Sequence, residues 1–527
     1  MIIEESNDIY KRNTFNHFQL LGRYSSGTRF QLTNTTNVYN NKETDSTKGF
    51  LFRLPSQQSL FGKLFYLKNE SKATYLINSK SLLFITDNVS YGTQPQQYAF
   101  SPLLADSIFH IMEDYNALLQ NEKSKIANHS ISLNYSRKID KGNLRLELGH
   151  KSSLQKFYST IHAVDSSEAK VNLNADFSNN VKFLTNELFG SVSFSSKIFD
   201  RLNYTLSIKA NALKLSFDSV ASKTYYSKTY ILPSLSMNYS FSTNSELSFS
   251  YVPSENLPQM DRLYNGYAFT NFLRLEKGSG ILRSAINHGF NLNYHSSDLV
   301  NKGLLFFSGL IFRINQSPYL TNLDNRDVYS FVQNDLYDGR ISNSFLAAYS
   351  IVQKIIPAIK SQVTFNISAN TGKSMTENNG ILQTNKFNGA ALKFEFRSAF
   401  EKKFNFVSSG SYSLNDQKNL PAEFHNTTHQ VSLRQTLDYK IFKNLHLNSS
   451  ISYLSAWSNL TETEHVILLN AGALLQLIPK KLSLMVSGNN LLNQKDFSSN
   501  SFTPFYSYTN RFQILRSFGT LNVQYKF

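Results

Sequence analysis

The sequence has no cysteine, one tryptophan, and few prolines and glycines, 11 and 22 among 527 residues. The absence of cysteine excludes a disulfide framework, cysteine-ligated metal sites and iron–sulfur clusters. Aromatic residues are plentiful instead, with 42 Phe and 29 Tyr. A composition rich in aromatic residues and modest in proline and glycine favours many β-strands joined by polar loops over a disordered chain.

Long apolar runs are also missing. A membrane-spanning helix needs about 18–20 apolar residues, whereas the apolar stretches of this sequence are short, such as Leu304–Phe307 and Ala473–Leu475. The first residues, Met1 to Ser6, lack the basic and apolar regions of a signal peptide. Because a secreted protein needs such a leader, we expect the sequence to begin inside a longer chain.

Charge and motifs exclude further classes. The formal net charge is +16, but the basic residues are scattered and form no block, so no nucleic-acid partner is expected. There is no phosphate-binding glycine loop, no His-Glu-x-x-His and no Gly-x-Ser-x-Gly elbow. The histidines are dispersed without ligand spacing. We therefore expect no enzyme activity, no catalytic residues, no cofactor and no transition-metal site.

The sequence is dominated by hairpins in which apolar residues alternate with polar ones. In the clearest case the turn lies at residues 140–143, and the apolar set on its two sides is Ile131, Leu133, Tyr135, Leu144, Leu146 and Leu148. Polar residues, mainly Ser, Asn, Arg and Glu, occupy the positions between them. Alternation with a period of two places one set of side chains on one face of a sheet. One face of this hairpin is therefore apolar throughout, and the other is polar.

Similar hairpins recur along the whole chain. Their turns are predicted at residues 195–201, 242–245, 443–444 and 479–481, with weaker examples at 25–28, 69–72, 296–302 and 354–360. Longer polar connectors separate them, at residues 89–127, 255–287, 317–341 and 415–428. Alternating short turns and long loops are typical of outer-membrane barrels, with turns on the periplasmic side and loops outside.

This layout predicts an all-β, transmembrane, antiparallel up-and-down β-barrel of about 20–22 strands. Six tyrosines end apolar alternations, as in an interfacial girdle: Tyr135, Tyr239, Tyr251, Tyr412, Tyr439 and Tyr453. The turn pattern makes the first visible strand a descending one, which also indicates an incomplete start. We assign residues 1–527 to one barrel domain of the bacterial outer membrane, with outer-membrane lipid and lipopolysaccharide as its surroundings.

The C-terminal residues form an amphipathic strand with Leu521, Val523, Tyr525 and Phe527 on one face. Such a final strand can close a barrel against the first one. A last strand that ends on phenylalanine also resembles the signal read by the barrel-assembly machinery, which we expect as a partner.

Several segments resemble TonB-dependent receptors. Residues 482–493 (LSLMVSGNNLLN) are similar to their penultimate strand, and a Ser/Phe/Tyr-rich loop at 497–508 and a terminal strand with Arg511 and Arg516 follow, as in those receptors. Residues 247–263 (LSFSYVPSENLPQMDRL) resemble their mid-barrel strand and loop, although KGSGIL at 277–282 replaces the usual Gly-Asn-Pro-x-Leu. Residues 96–102 (QQYAFSP) are similar to the Bacteroidetes-type branch.

The resemblance implies an outer-membrane receptor and transporter that imports a large scarce solute, such as a siderophore, an oligosaccharide or a peptide. Members of that family carry an N-terminal plug and a TonB box, and neither is in this sequence. The TonB system, through a missing N-terminal region, and a surface lipoprotein are therefore implied partners. Two alternatives remain open: a plugless passive porin-like channel or structural surface barrel, and a secreted all-β adhesin.

Candidate sites lie in the connectors. Aromatic rings that could stack on a solute are Tyr264, Tyr267, Phe269, Phe272, Tyr319 and Tyr329. Carboxylates that could bind calcium are Asp324, Asp327 and Asp335, although turn-forming residues explain them equally well. Helical spacing of apolar residues predicts a short helix at Leu104–Leu119.

Overall fold

The computed structural model describes the chain except residues 1, 7, 52–53, 102–114, 221, 272, 327–328, 399–402, 422, 479–480, 503–506 and 526–527. The described residues form 27 strands and three short 3-10 helices. No helix in this part of the chain is both long and apolar enough to cross a bilayer.

Most of the strands belong to one antiparallel meander that winds into a barrel. Its first half comprises β2 (Asp8–Ser26), β3 (Phe30–Leu51), β4 (Leu54–Asn78), β5 (Ser81–Ser101), β6 (Tyr115–Ile139), β7 (Gly142–Asp165), β9 (Ser178–Ile198), β10 (Leu202–Ser219), β11 (Lys223–Ser242) and β12 (Ser245–Asn256). The second half comprises β15 (Ala285–Asp298), β16 (Leu304–Arg326), β17 (Tyr329–Ile356), β18 (Ser361–Asn378), β19 (Ile381–Ser398), β20 (Phe404–Leu420), β21 (Phe424–Phe442), β22 (Leu445–Ser458), β23 (Thr461–Ile478), β24 (Leu482–Asn489) and β27 (Phe518–Tyr525).

The meander contains 21 strands within the described residues, which confirms the predicted number of about 20–22. Each strand pairs with the next from β2 to β24, and β24 pairs with β27. A ladder between β27 and β2 is not among the pairings of the described residues. Since the strand number is odd, β2 and β27 run in the same direction.

One end of the meander carries tight turns. In the described residues they lie at 27–29, 79–80, 140–141, 199–201, 243–244, 299–303, 357–360 and 443–444. Several need left-handed backbone, as at Asp140, Phe199 and Asp200, which is the conformation that matches hairpin twist. These turns confirm the predicted ones at 25–28, 140–143, 195–201, 242–245, 296–302, 354–360 and 443–444. The turn predicted at 479–481 lies mostly outside the described residues. Residues 69–72 were predicted as a turn but lie inside β4, where Asn69 pairs with Thr36.

The opposite end differs from the prediction. Of the four predicted connectors, only 257–284 is a long, irregular loop in the described residues. The connector predicted at 317–341 is mostly strand, because β16 and β17 continue as a hairpin to Arg326 and Tyr329. The connectors at 89–127 and 415–428 also consist largely of paired strand. Stretches of polar residues without alternation were interpreted as loops. Beyond the bilayer, however, a strand can be polar on both faces and then shows no alternation.

Two faces alternate along each strand. Large apolar side chains are exposed on the outward face, with Leu148, Leu188 and Ile231 at 66%, 63% and 69% exposure. The residues between them on the opposite face are polar and buried, including Asn134 and Glu187. On β10 the outward apolar positions begin at Leu202 and end near Ala212. About ten residues rising ~3.3 Å each at a ~40° tilt give an apolar belt of about 25 Å, the height of a lipid-facing belt.

The remaining strands lie outside the meander, at its loop end. They are β1 (Ile2–Ser6), β8 (Lys170–Asn172), β13 (Ala268–Asn271), β14 (Arg274–Gly278), β25 (Asp496–Phe502) and β26 (Ser507–Gln513). β1, β26 and β25 form a separate three-stranded sheet. Short 3-10 helices occur at Ala175–Phe177, Met260–Arg262 and Pro357–Ile359.

The helix predicted at Leu104–Leu119 is wrong in its described part. Residues 104–114 lie outside the described residues, and Tyr115 to Leu119 belong to β6. Leu118 is fully buried and stands between Phe100 and Ala163 in the sheet. Pairing with two neighbouring strands overrides the local helical spacing.

Candidate solute-binding site

The connection between β12 and β15, residues 257–284, folds back onto the inner face of the barrel. We refer to this segment as the inner loop. Its residues Leu263, Tyr264, Ala268 and Leu282 join a buried cluster on the inner wall, whose wall members are Phe157, Val181, Phe183, Leu213, Leu215, Phe217, Tyr230 and Leu232. A large apolar side chain contributes about 1.5–3 kcal/mol when it is fully buried. The inner loop is therefore a packed element of the barrel mouth.

Two side-chain amides on the wall hold the backbone of the inner loop. Gln120 on β6 donates from Nε2 to the Phe269 carbonyl at 3.1 Å and accepts from the Phe269 amide at 2.6 Å. Asn179 on β9 donates to the Gly266 carbonyl at 3.0 Å and accepts from the Gly266 amide at 2.8 Å. Each amide thus replaces the pair of hydrogen bonds that a neighbouring strand would supply.

Further contacts fix the second half of the inner loop. β13 and β14 form a hairpin, and β14 pairs in parallel with the extension of β17, for example Leu275 with Phe331. The Tyr319 hydroxyl donates to the Ile281 carbonyl at 2.6 Å and accepts from the Arg283 amide at 2.9 Å. Burial raises the pKa of Tyr319 to about 12, so its hydroxyl stays protonated and keeps donating at neutral pH.

A cavity of about 400 Å³ lies between the inner loop and the wall strands β4 to β7. Its lining is mainly apolar, with Tyr66, Phe157 and Phe269, and it includes the carboxylates of Glu122 and Asp261. Burial raises the pKa of Glu122. Asp261 Oδ1 is buried without a hydrogen-bond partner in the described part of the chain. Apolar walls with a few convergent polar groups are typical of a ligand cavity.

Below the inner loop, the wall carries a charged cluster. Lys209 Nζ lies 2.8 Å from Glu187 Oε1, and the Glu187 side chain is 9% exposed. The ammonium groups of Lys151 and Lys209 both lie 4.9 Å from the centre of the Phe189 ring. Asn211 donates to Glu255 at the top of the same cluster. This arrangement suits polar or charged solutes in the lumen.

The structure brings five of the six predicted aromatic residues close to the inner loop, but mostly as packing residues. Tyr264, Phe269, Tyr319 and Tyr329 are at most 5% exposed. The Tyr264 ring stacks on Phe157 with a centroid distance of 5.0 Å. Tyr267 is half-buried between Phe331 and the Lys277 ammonium. Phe272 lies outside the described residues. Stacking on a solute would therefore require the inner loop to leave the wall.

The register separates the described members of the predicted calcium set. Asp324 pairs with Phe331, whereas Asp335 pairs with Leu320, four positions along the same ladder. At ~3.3 Å per residue this is about 13 Å, too far for one ion. Asp327 lies outside the described residues, and those described contain no group of three or more metal-ligating side chains. Asp324 and Asp335 thus do not form a calcium site together.

The predicted C-terminal face lies at an edge of the meander. Leu521, Val523 and Tyr525 stand opposite Val486, Leu484 and Leu482 of β24 and are 67%, 60% and 51% exposed. Phe527 lies outside the described residues. The strand is therefore paired on one side, and its role in closing the barrel remains a prediction.

Sequence reasoning missed Gln120, Asn179 and Glu122. The available signal was their position: each stands at an inward place of its strand near buried apolar neighbours, such as Leu118 beside Gln120. A polar side chain on an otherwise apolar inner face requires a hydrogen-bond partner. The partner of Asn179 is 87 residues away in the sequence and that of Gln120 is 149 residues away.

A wide antiparallel barrel with an apolar outward belt and a polar inner wall defines an outer-membrane β-barrel protein. The chain belongs to the outer membrane protein beta-barrel family, whose model matches residues 76–525. It is thus a protein of the bacterial outer membrane, as predicted. No curated protein matches the sequence.

Solved structures similar to this chain include one receptor and two transporters. The siderophore receptor PiuA from Acinetobacter baumannii has 9% identity and a TM-score of 0.48, over 99% of this chain and 79% of that one. The ferric citrate transporter FecA has 9% identity and a TM-score of 0.48, over 99% and 78%. The copper transporter OprC has 9% identity and a TM-score of 0.44, over 99% and 80%.

Proposed function

We propose that the chain is the barrel of an outer-membrane receptor of the TonB-dependent type, which imports a large scarce solute such as a siderophore, an oligosaccharide or a peptide. The observation that carries the proposal is the inner loop packed onto the inner wall at the mouth, next to the charged cluster of that wall. A barrel of this strand number encloses a lumen wide enough for such a solute. A loop held by packing and amide clamps would keep that lumen from standing open.

The same proposal assigns the partners. A lumen-filling plug and a TonB box, supplied by a region beyond these residues, would couple the barrel to the TonB system. The barrel-assembly machinery would insert the chain by way of its amphipathic last strand. A surface lipoprotein would deliver the solute at the loop end. The charged cluster of Lys209, Glu187 and Lys151 supports a polar solute, because ionised side chains form strong, charge-assisted hydrogen bonds.

We also propose that one further strand joins β2 to β27. Both edges are exposed along their described side chains, and unpaired backbone groups in lipid cost several kcal/mol each. Since β2 and β27 run in the same direction, a single strand antiparallel to both completes the ladder and makes the number even. Hydrogen exchange of the protein extracted from its native membrane tests this: closure requires β2 and β27 amides as protected as those of β10.

Planar-bilayer conductance separates the receptor from a passive channel. Protein extracted from the native outer membrane is fused into a neutral bilayer, and single openings are recorded. The receptor predicts closed or rarely open molecules, whereas a porin-like channel conducts steadily. A steady conductance with the inner loop intact would contradict the proposal. Solute uptake by cells provides the second measurement, because the receptor requires a functional TonB system and a channel does not.

A further inference from the structure

Three lysines stand side by side on the outward face of neighbouring strands. Lys125 on β6 is directly opposite Lys156 on β7, and Lys156 is directly opposite Lys182 on β9. All three side chains are exposed. The residues beside them in the sequence, such as Phe157 and Phe183, are buried in the cluster that the inner loop forms with the wall. The alternation therefore turns the lysines to the outside of the barrel.

The arrangement recurs elsewhere on the barrel. Lys373 on β18 is opposite Lys386 on β19, which is opposite Lys418 on β20. Lys42 on β3 is opposite Lys63 on β4. These eight exposed lysines form three arcs, which we call the lysine belt: Lys42, Lys63, Lys125, Lys156, Lys182, Lys373, Lys386 and Lys418.

The lysine belt has one height on the barrel. Each member lies roughly 12–16 residues from the tight-turn end of its strand, just beyond the ~25 Å apolar belt. On β7, for example, Leu146 and Leu148 are exposed on the same outward face, and Lys156 follows further from the turn. The tight turns face the periplasm, so the lysine belt lies at the headgroups of the outer leaflet.

Within the protein alone this arrangement is unfavourable. Like charges directly opposite each other in a β-ladder destabilise the pair. Lys418 has Asp416 at 3.9 Å, but Lys125, Lys156 and Lys182 form no ion pair within the described part of the chain. Asp218 stands opposite Lys182 and is the carboxylate nearest to this arc in the register. Asp218 thus balances part of the charge of Lys182, whereas Lys125 and Lys156 have no carboxylate directly opposite them in the sheet.

The central arc also borders a groove. The charged residues that line a depression of about 480 Å³ on the outer surface are four lysines, Lys123, Lys125, Lys156 and Lys182, and one carboxylate, Asp218; Tyr158 also lines it. A second depression of about 350 Å³ adjoins it and shares Lys182 and Asp218, with Lys214, Lys223 and Tyr225 also in its lining. Ammonium groups around a groove, with exposed tyrosines between them, suit an anionic group that continues into apolar chains.

We propose that the lysine belt binds the phosphates of phosphorylated glycolipids in the outer leaflet, with Lys125, Lys156 and Lys182 as the principal site. The phosphate oxygens accept charge-assisted hydrogen bonds from the three ammonium groups, and the acyl chains continue down the apolar belt. Bound lipid would then supply the negative charge that Lys125 and Lys156 do not find on the neighbouring strands. This inference is independent of the transported solute and of the proposed receptor function.

Thermal unfolding of the full chain in defined lipid tests the proposal. The variant Lys125→Gln/Lys156→Gln/Lys182→Gln is compared with wild type and with a control that removes three exposed lysines near the tight turns, Lys138→Gln/Lys141→Gln/Lys443→Gln. In neutral detergent the belt variant should unfold at the same temperature as wild type or a higher one, because a repulsion is gone. Adding bisphosphorylated lipopolysaccharide should stabilise wild type and the control but not the belt variant.

The affinity for lipopolysaccharide is measured for wild type, the belt variant and the control. At about 1 kcal/mol per lysine near an anionic surface, loss of three lysines should weaken binding about a hundredfold, and the control should bind as wild type does. Equal binding by the belt variant would overturn the proposal. Dephosphorylated lipopolysaccharide should bind wild type about as weakly as intact lipopolysaccharide binds the belt variant. Inorganic phosphate at millimolar concentration should neither stabilise wild type nor displace the lipid; if it does both, the site serves a free anion and the proposal fails.

Discussion

The side-chain amide of Gln120 forms two hydrogen bonds with the backbone of Phe269, 149 residues further along the chain. Asn179 holds Gly266 in the same manner. The two wall residues therefore fix the inner loop at points three residues apart, although they come from different strands. Both clamps are buried, so water cannot replace them without displacing the loop.

Loss of the Gln120 clamp should release the inner loop. In Gln120→Leu the amide and carbonyl of Phe269 lose their partner in a buried place, which costs about 1–3 kcal/mol. We expect faster proteolytic cleavage within residues 257–284 and unchanged heat-modifiable migration of the barrel. Gln97→Leu is the control, because Gln97 bonds Asn121 on an exposed surface. Equal cleavage of the two variants would contradict the clamp.

The close approach of the inner loop at Gly278 gives a second prediction. A Cβ there would lie 2.2 Å from the Arg262 carbonyl carbon and 2.3 Å from the Leu263 nitrogen. Gly278→Ala should therefore displace the loop at a cost of about 1–3 kcal/mol. Gly519→Ala, where the nearest atom is at 3.7 Å, should have little effect. Proteolysis of residues 257–284 measures both, and the two variants behaving alike would count against this packing.

The cavity should respond to pH through Glu122. A carboxyl group whose pKa is raised on folding stabilises the folded form fully below its ordinary pKa, and this contribution is lost as pH rises through the raised value. We expect the inner loop to loosen as pH rises from about 4 into the neutral range. Glu122→Gln should remove this pH dependence, while Asp261 still faces the cavity. Cleavage rates measured across that range check the effect; a loop that tightens with rising pH would refute it.

The ion pair of Lys209 and Glu187 should be important for stability. Lys209→Met leaves the nearly buried Glu187 carboxylate without its cation, which should cost about 2–3 kcal/mol of unfolding free energy. Lys197→Met is the control, because its partner Asp200 is 99% exposed and such surface pairs contribute little. Urea unfolding in detergent measures both. Similar midpoints for the two variants would show that the lumen is solvated enough to screen the charge.

The sequence predicted the meander well because a lipid-facing strand has to alternate. Leu144, Leu146 and Leu148 leave no other face for the apolar set, and the tight turns follow from the loss of alternation. The loop end was harder. Strands β16 and β17 continue beyond the bilayer, where water accepts polar side chains on both faces and the alternation that reveals a strand disappears.

The candidate site was predicted only in part, for a related reason. Tyr264 and Phe269 were correctly assigned to a connection at the mouth, whereas Tyr319 belongs to β16. The burial of Tyr264 depends on the wall residue Phe157, on which its ring stacks. Contacts across so many intervening residues leave no local pattern. The hydrogen bonds of Gln120 and Asn179 to the loop backbone were equally unpredictable, because every residue type offers the same backbone groups.

The central claim is that every second residue of a strand faces lipid and its neighbours face the lumen. The chain has no cysteine, so single cysteines at residues 204–209 of β10 can carry a nitroxide spin label in reconstituted protein. The account predicts high oxygen accessibility at 204, 206 and 208 and high accessibility to a water-soluble nickel complex at 205, 207 and 209. Accessibility without a period of two, or the opposite phase, would contradict it.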